Sequence, residues 1–184
     1  MDVIVTRKTS WLDVKKAAKY TMWQDTTPDE KEPSAEWKHK ILLARHSPIE
    51  SLVFQIEMRG IPSWVSVHFV RHKIGVTHYV SSQRDDRHTA EKPRAEMPQG
   101  TPVNHMMFLN AQEILFISQR RLCACASKET RETWRAVVAA IAKVDPDLAL
   151  CCMPQCRWCG GHCPEMKGCG KYPSLYELLF KKGV

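Results

Sequence analysis

Two hydrophobic periods alternate along the chain. Residues 2–6 (Asp2-Val3-Ile4-Val5-Thr6) read as a short first β-strand. From Trp11 to Met22, the residues Leu12, Val14, Ala17, Ala18 and Met22 recur at helical spacing and predict an amphipathic helix. Thr26-Thr27-Pro28-Asp29-Glu30 predicts a turn into a second helix, with Thr27 as N-cap and Pro28 at the first helical position. Pro33 and Ser34 interrupt it, and helix resumes at Ala35 through Ile41, Leu42 and Leu43 toward Arg45. Leu52, Phe54, Ile56 and Met58 then alternate with Val53, Gln55, Glu57 and Arg59. That period of two predicts a strand with one buried face, ended by Gly60. Pro62 opens a helix through Val65, Phe69 and Val70 toward His72.

Val76–Ser82 is β-rich and predicts a strand; Arg84–Gly100 is polar, holds Pro93 and Pro98, and reads as a loop. Met106–Leu109 is a short apolar run and a further strand. Asn110 suits the N-cap of a helix carrying Ala111, Ile114, Leu115, Ile117, Arg121 and Leu122. Another helix starts near Ser127, sets Trp134, Val137, Val138, Ile141 and Val144 on one face, and ends at Pro146. From Cys151 the chain is rich in Cys, Gly and Pro, with a last short helix over Ser174–Lys181. No internal repeat is present. The order of elements predicts a mixed α/β (α+β) domain over residues 1–150, with a Cys-rich tail, residues 151–184, packed on it.

A chain of 184 residues, 43% of them hydrophobic, suits one domain with one sizeable core. No apolar run approaches the ~20 residues that span a bilayer. The N-terminus has no basic stretch followed by an apolar one, so a cytoplasmic, membrane-free protein is expected. A net charge of +7 favours anionic partners such as nucleotides, phosphorylated cofactors or nucleic acid, unless it is simply a solvated basic surface. Of the eight cysteines, six lie between Cys151 and Cys169. Without a secretory signal, such clustering points to metal binding or reduced thiols before disulfides. Cys156, Cys159, Cys163 and Cys169 have some metal-like spacing, with His162 adjacent. They are candidate zinc ligands, and reduced or packed thiols are the alternative.

The common phosphate-cradling and nucleophile motifs are absent. Gly160-Gly161 precedes no helical pattern, Gly170-Lys171-Tyr172 lacks the Ser or Thr of a P-loop, and no Gly-x-Ser-x-Gly occurs. The densest polar segment runs from Arg71-His72-Lys73 through His78 to Ser82-Gln83-Arg84. Cations at a helix end can be plain caps. Three together, followed by Arg84, Arg87 and Arg94, exceed what a cap needs. A basic helix end joined to a Ser/Gln/Arg strand suits a phosphate and a polar heterocycle, because Arg forks grip phosphate and Ser and Gln fix base edges.

These residues resemble the flavin-dependent thymidylate synthase family. Arg71-His72-Lys73 is similar to its Arg-His-Arg, and Ser82-Gln83-Arg84 to its Ser-x-Arg with one inserted residue. Ser47-Pro48-Ile49-Glu50 resembles Ser/Thr-Pro-Phe-Glu, and Arg94-Ala95-Glu96-Met97-Pro98 resembles Arg-x-x-Leu-Pro. Asn110-Ala111-Gln112-Glu113 through Arg121-Leu122-Cys123 is similar to the family's Asn-Ala-Arg-Glu…Leu-Arg helix. The resemblance spans residues 40–135.

The resemblance implies the thymidylate-synthase-complementing-protein fold: one domain with a mixed, mainly antiparallel sheet flanked by helices. It implies FAD as cofactor, NADPH and methylenetetrahydrofolate as co-substrates, and reductive methylation of dUMP to dTMP. Ser47, Arg71, His72, Lys73 and Asn110 would contact FAD. His68, Arg71, Ser82, Gln83, Arg84, Arg94 and Arg121 would hold dUMP. Arg121 would be catalytic, stabilising negative charge on the uracil ring. A homotetramer with active sites shared between subunits is implied, with dUMP and folate as partners and no nucleic acid.

The chain departs from the family at Lys73, Ser51, His68, Asp85, Gln112 and Phe116, and its loop from Arg84 to Arg94 is shorter. These departures motivate an alternative product, another C5-modified pyrimidine deoxynucleotide. Net charge and the Cys-rich tail motivate a different class, a basic zinc-containing nucleic-acid-binding protein. On the bland reading Arg121 is a surface arginine, Asn110 only a cap, and His46, His78 and His105 ordinary polar residues.

Overall fold

The computed structural model describes residues 1–27, 31–87 and 92–181. Four strands form one antiparallel sheet in the order β1-β2-β4-β3: β1 Asp2–Arg7, β2 Val53–Pro62, β3 Val76–Val80 and β4 Pro102–Asn110. The expected α+β domain with a mainly antiparallel sheet is thus observed, and all three strand pairings are antiparallel. The longer helices are α1 Trp11–Thr21, α2 Ala35–Ala44, α3 Ser63–Phe69, α4 Ala111–Arg121 and α5 Lys128–Val144. Two short ones, α6 Pro146–Cys151 and α7 Gln155–Trp158, lead into the tail. Pro28, Asp29 and Glu30, where a helix start was expected, lie outside the described residues.

Three expectations change. The strand β2 does not stop at Gly60 but runs to Pro62, because a register shift between Met58 and Ile61 absorbs the glycine as a bulge. Gly60 has a φ of 67°, and its N–H finds the Asn104 side chain at 3.1 Å. Second, β4 is nine residues long, not a short Met106–Leu109 run. Its inward register is Val103, His105, Met107 and Leu109, and the polar His105 breaks the apolar alternation that would have revealed the strand. Third, Pro146 ends α5 and also opens α6, which Asp145 caps by accepting from the Leu148 N–H at 3.0 Å.

The core lies between one sheet face and the helices. Phe54, Ile56, Met58 and Ile61 of β2 and Met107 of β4 are fully buried with Trp11, Phe69, Ile114 and Trp134. Two polar groups inside this core have well-placed partners. The Trp134 indole donates to Ser118 Oγ at 2.9 Å, and Ser118 donates on to the Ile114 carbonyl at 2.7 Å. Asp145, 1% exposed, accepts from the Trp11 indole at 2.9 Å and from Arg7 at 3.2 Å, tying β1 and α1 to the junction of α5 and α6. Among the described residues no helix is long and apolar enough to cross a membrane.

Because Asp145 serves three donors at once, Asp145→Ala strands a buried indole N–H and an arginine and uncaps α6. Equilibrium urea unfolding at neutral pH is expected to show a loss of about 3 kcal/mol. A loss below about 1 kcal/mol, the size of an isolated cap, would show that the carboxylate is not the junction's anchor.

Candidate functional site

The turn from α3 into β3 and the helix α4 meet at one edge of the core, and each brings functional side chains for a local reason. Asn110 caps α4 by accepting from the Glu113 N–H at 2.9 Å, and its own N–H donates to the Gly75 carbonyl at 3.1 Å. Gly75 has a φ of 68°, and a Cβ there would stand 2.7 Å from the Asn110 amide nitrogen. Only glycine therefore lets Arg71–Gly75 lie against the start of α4.

His72 is buried and held from three sides. Arg121 Nε donates to its Nε2 at 3.1 Å, so that nitrogen carries the lone pair. Its Nδ1–H then donates to Glu113 Oε1 at 3.1 Å. Its carbonyl accepts from His78 Nε2 at 2.7 Å. Arg121 also donates through Nη2 to the His68 carbonyl at 2.7 Å. Among the described residues no carboxylate pairs with Arg121. Burial, then the neighbouring Arg71 and Arg120, pull its pKa below the usual arginine value. The result is a partly buried, hydrogen-bonded cation with uncompensated charge.

Beside this lock lies a cleft of about 350 Å³, lined by Arg45, Arg71, His72, Lys73, Gln112 and Phe116 among others. Arg45 was not foreseen. Its Nε and Nη2 atoms, and Gln112 Oε1, are buried without a hydrogen-bond partner. The signal available in the sequence was an arginine two residues before Ser47, which reads as an ordinary helix-end cation. Orphaned donors in one lining with Arg71 and Lys73, and an orphaned acceptor in the same lining, fit a phosphorylated, hydroxyl-bearing cofactor such as FAD.

Not all expected residues converge. Arg71, His72, Lys73 and Arg121 gather here, and Asn110 supports them. Ser47, itself exposed, begins a 3₁₀ turn just after Arg45. The ring of His68 turns to Thr130 Oγ1 at 2.7 Å, and its pKa is lowered by burial, then Arg121 and Arg71. Ser82, Gln83, Arg84 and Arg94 lie past the far end of the five-residue β3, about 17 Å of strand away. The Arg84 fork is engaged by Asp86 through two 2.8 Å bonds, and the Arg94 N–H is held by Asp85 at 2.9 Å.

The cysteine set is corrected as well. All eight cysteines are free thiols, and no group of three or more Cys, His, Asp or Glu among the described residues is arranged to hold a metal ion. Cys163 is turned inward by backbone bonds to Pro173 and Leu175, whereas Cys169 is exposed. The four spaced cysteines therefore do not form a ready zinc site. Burial pushes Cys151 up to about 11 and Cys152 up to about 12, so both are protonated thiols.

His78 and His105, read from sequence as ordinary, form a proton-ordered chain behind the site. His78 Nε2–H faces a carbonyl, so its Nδ1 accepts from His105 Nε2–H at 3.0 Å. His105 Nδ1 in turn accepts from the Ser66 hydroxyl at 3.0 Å. Burial, and then His78, lower the His105 pKa to about 4.

No family model matches the chain, and no curated protein matches it. Solved structures do. Thymidylate synthase X from Helicobacter pylori with FAD and dUMP is 19% identical, with a TM-score of 0.65 over 83% of this chain and 99% of that one. A second structure of the Helicobacter pylori flavin-dependent enzyme, complexed with FAD and dUMP, is 17% identical, with a TM-score of 0.62 over 83% and 100%. A UMP/dUMP methylase from Streptomyces cacaoi bound with 5-Br dUMP is 17% identical, with a TM-score of 0.60 over 82% and 94%. The chain therefore has the fold of the flavin-dependent thymidylate synthases.

The depressed His105 pKa sets a pH dependence. Below about pH 6.5 the unfolded chain takes up a proton at this position that the folded chain refuses until about 4. Acidification across that window should remove on the order of 3 kcal/mol of stability through this residue. Urea unfolding at pH 7 and pH 4.5 should show the loss in the native chain and a clearly smaller one in His105→Gln. Equal losses would mean that other groups carry the acid sensitivity.

Proposed function

We infer that this chain is a divergent member of the flavin-dependent thymidylate synthase family, binding FAD and methylating dUMP to dTMP. Methylenetetrahydrofolate is the one-carbon donor and NADPH the reductant. The observation that carries the reading is the Arg121–His72–Glu113 lock beside a cationic cleft with orphaned donors, set on this fold. Arg71, Lys73 and Arg45 would hold the anionic part of FAD, and Gln112 would accept from its polar edge. Bound FAD supplies the hydride that reduces the transferred carbon.

The chain's own residues supply position and charge. C5 of a pyrimidine becomes nucleophilic as negative charge builds on the ring, and a fixed guanidinium without a carboxylate partner lowers the cost of that charge. Arg121 has this character, since its hydrogen bonds go to neutral acceptors. Glu113 and the backbone around His72 hold the imidazole so that it orients Arg121 rather than competing with it.

Ser82, Gln83 and Arg84 follow the end of β3 away from Arg71–Lys73, and Arg94 is held beside Asp85 in the same loop region. In our reading they complete the site of a neighbouring subunit in a homotetramer. The outer sheet face, with Ile4 38% and Tyr79 54% exposed, is available for such packing. Arg84 would then exchange Asp86 for the nucleotide phosphate. A second reading keeps the fold and makes another C5-modified pyrimidine nucleotide. The likeness to a UMP/dUMP methylase and the exchange of the family's arginine for Gln112 support it.

Two tests follow from this reading. Purified protein loaded with FAD should be yellow, and dUMP should shift its visible spectrum. Arg121→Ala should keep the flavin and lose turnover by about a hundredfold or more. A chain that cannot be loaded with FAD, or an Arg121→Ala variant of normal turnover, sinks the reading. Second, Arg84→Ala and Arg121→Ala chains, each inactive alone, should recover dTMP formation when co-assembled. One interface then draws Arg121 from the first chain and Arg84 from the second. Absence of recovery in verified hybrid oligomers would place both residues in the same subunit's site.

A further inference from the structure

Arg45 is poorly explained by the fold alone. It closes α2 at a φ of 54°, in the left-handed region that side chains other than Asn and Asp rarely adopt. Its Nε and Nη2 are buried with no partner, although an arginine can donate five hydrogen bonds. Burial pulls its pKa down. Unpartnered buried donors cost stability, and a native site that keeps them is commonly completed by a bound group.

The neighbours define what that group must be. Arg71 and Lys73 line the same cleft, so three cations face one space. Among the described residues that line it the one carboxylate, Glu113, is already engaged by His72 at 3.1 Å. The ligand is therefore anionic. Gln112 Oε1 is a buried acceptor without a donor, so the ligand also carries an O–H or N–H close to its charge. A phosphate next to a sugar hydroxyl satisfies both demands, whereas a simple carboxylate meets the first alone.

Arg45 is aimed by the tail. Its guanidinium carbon stands 4.7 Å from the ring centroid of Trp158, which lies on α7 between Cys156 and Cys159. A flat aromatic face under a guanidinium orients it and leaves its N–H edge free for an anion. The helix α7 packs on α4, the helix that carries Gln112 and Arg121. We propose that Arg45 is the phosphate-binding arm of the cleft and that Trp158 is its positioning residue, making the Cys-rich tail part of the nucleotide site. The proposal rests on the reading that this cleft takes a nucleotide cofactor, and it names the group and the residues that would bind it.

Calorimetric titration of the full chain with sodium pyrophosphate, and separately with FAD, tests this. Arg45→Asn removes the guanidinium while suiting the left-handed backbone, so loss of folding does not confound it; circular dichroism verifies this. Pyrophosphate affinity should fall about tenfold or more in Arg45→Asn. It should fall about three- to tenfold in Trp158→Leu and recover in Trp158→Phe, which keeps an aromatic face. The Arg45 Nε–H resonance should move on adding pyrophosphate to the native chain and stay fixed in no-ligand controls. Unchanged pyrophosphate affinity in Arg45→Asn overturns the arm, and Trp158→Leu equal to the native chain overturns the role of the tail. Arg45-dependent pyrophosphate binding without any FAD binding would keep the arm and remove the flavin reading. FAD binding that Arg45→Asn leaves intact would do the reverse, and a native chain that binds neither ligand ends both.

Discussion

A partly buried guanidinium with no carboxylate beside it among the described residues is the constraint on which the rest of this site depends. An arginine in a low-dielectric setting normally finds an acid, because an unpaired charge there is costly. Arg121 is instead satisfied by an imidazole nitrogen and a peptide carbonyl, both neutral acceptors. The nearest acid in the network, Glu113, reaches it only through the ring of His72. A carboxylate placed directly against Arg121 would quench the field that a developing anion needs. One imidazole in between keeps the geometry rigid and the positive charge exposed.

Keeping His72 in place recruits residues from four elements, α3, β3, β4 and α4. The carbonyl is fixed by His78 on β3, which leans on His105 in the core register of β4, which leans on Ser66 of α3. The ring is fixed by Glu113 on α4, whose start is pinned by Asn110 against Gly75. Two imidazoles thus occupy positions where an apolar pair would be more stable, and one of them is held neutral by burial down to about pH 4. A polar ladder at core-facing positions departs from the local rule for a strand, and such departures gather at functional sites. Here the departure fixes the backbone of the turn that carries Arg71, His72 and Lys73.

The same ladder explains what was legible in the sequence. Elements with an unbroken period were readable: β1, α1, the start of β2, α4 and α5 all follow from apolar spacing and caps. The full length of β4 was not, because His105 sits where the alternation calls for a hydrophobe, and its burial is intelligible only once His78 is seen opposite. The bulge at Gly60 was hidden for a similar reason, since a glycine within a strand reads first as its end. Motif resemblance pointed to Arg71, His72 and Lys73, which line one cleft, and to Arg121, which donates to His72 beside it. It carried no sign of Arg45, because nothing in a helix-end arginine reveals that its donors are unpartnered. Cysteine spacing suggested a metal set, and among the described residues no three such ligands are arranged to hold a metal ion.

The distance between the two halves of the motif is the most informative disagreement. Arg71-His72-Lys73 and Ser82-Gln83-Arg84 are close in sequence, yet the strand between them is extended and carries them to opposite ends of β3. An extended segment holds its two ends apart, and in our reading a second chain supplies the other half of each site. The chain's lack of any self-contained phosphate-cradling loop fits the same logic. A site assembled between subunits needs only scattered side chains at edges and turns, each held by its own local scaffold. The scaffold for Arg121 is complete within one chain, whereas Arg84 rests on Asp86 in an exchangeable, exposed pair. The rigid half of the site is therefore the half that would bear the chemistry, and the adaptable half is the one that would meet a partner.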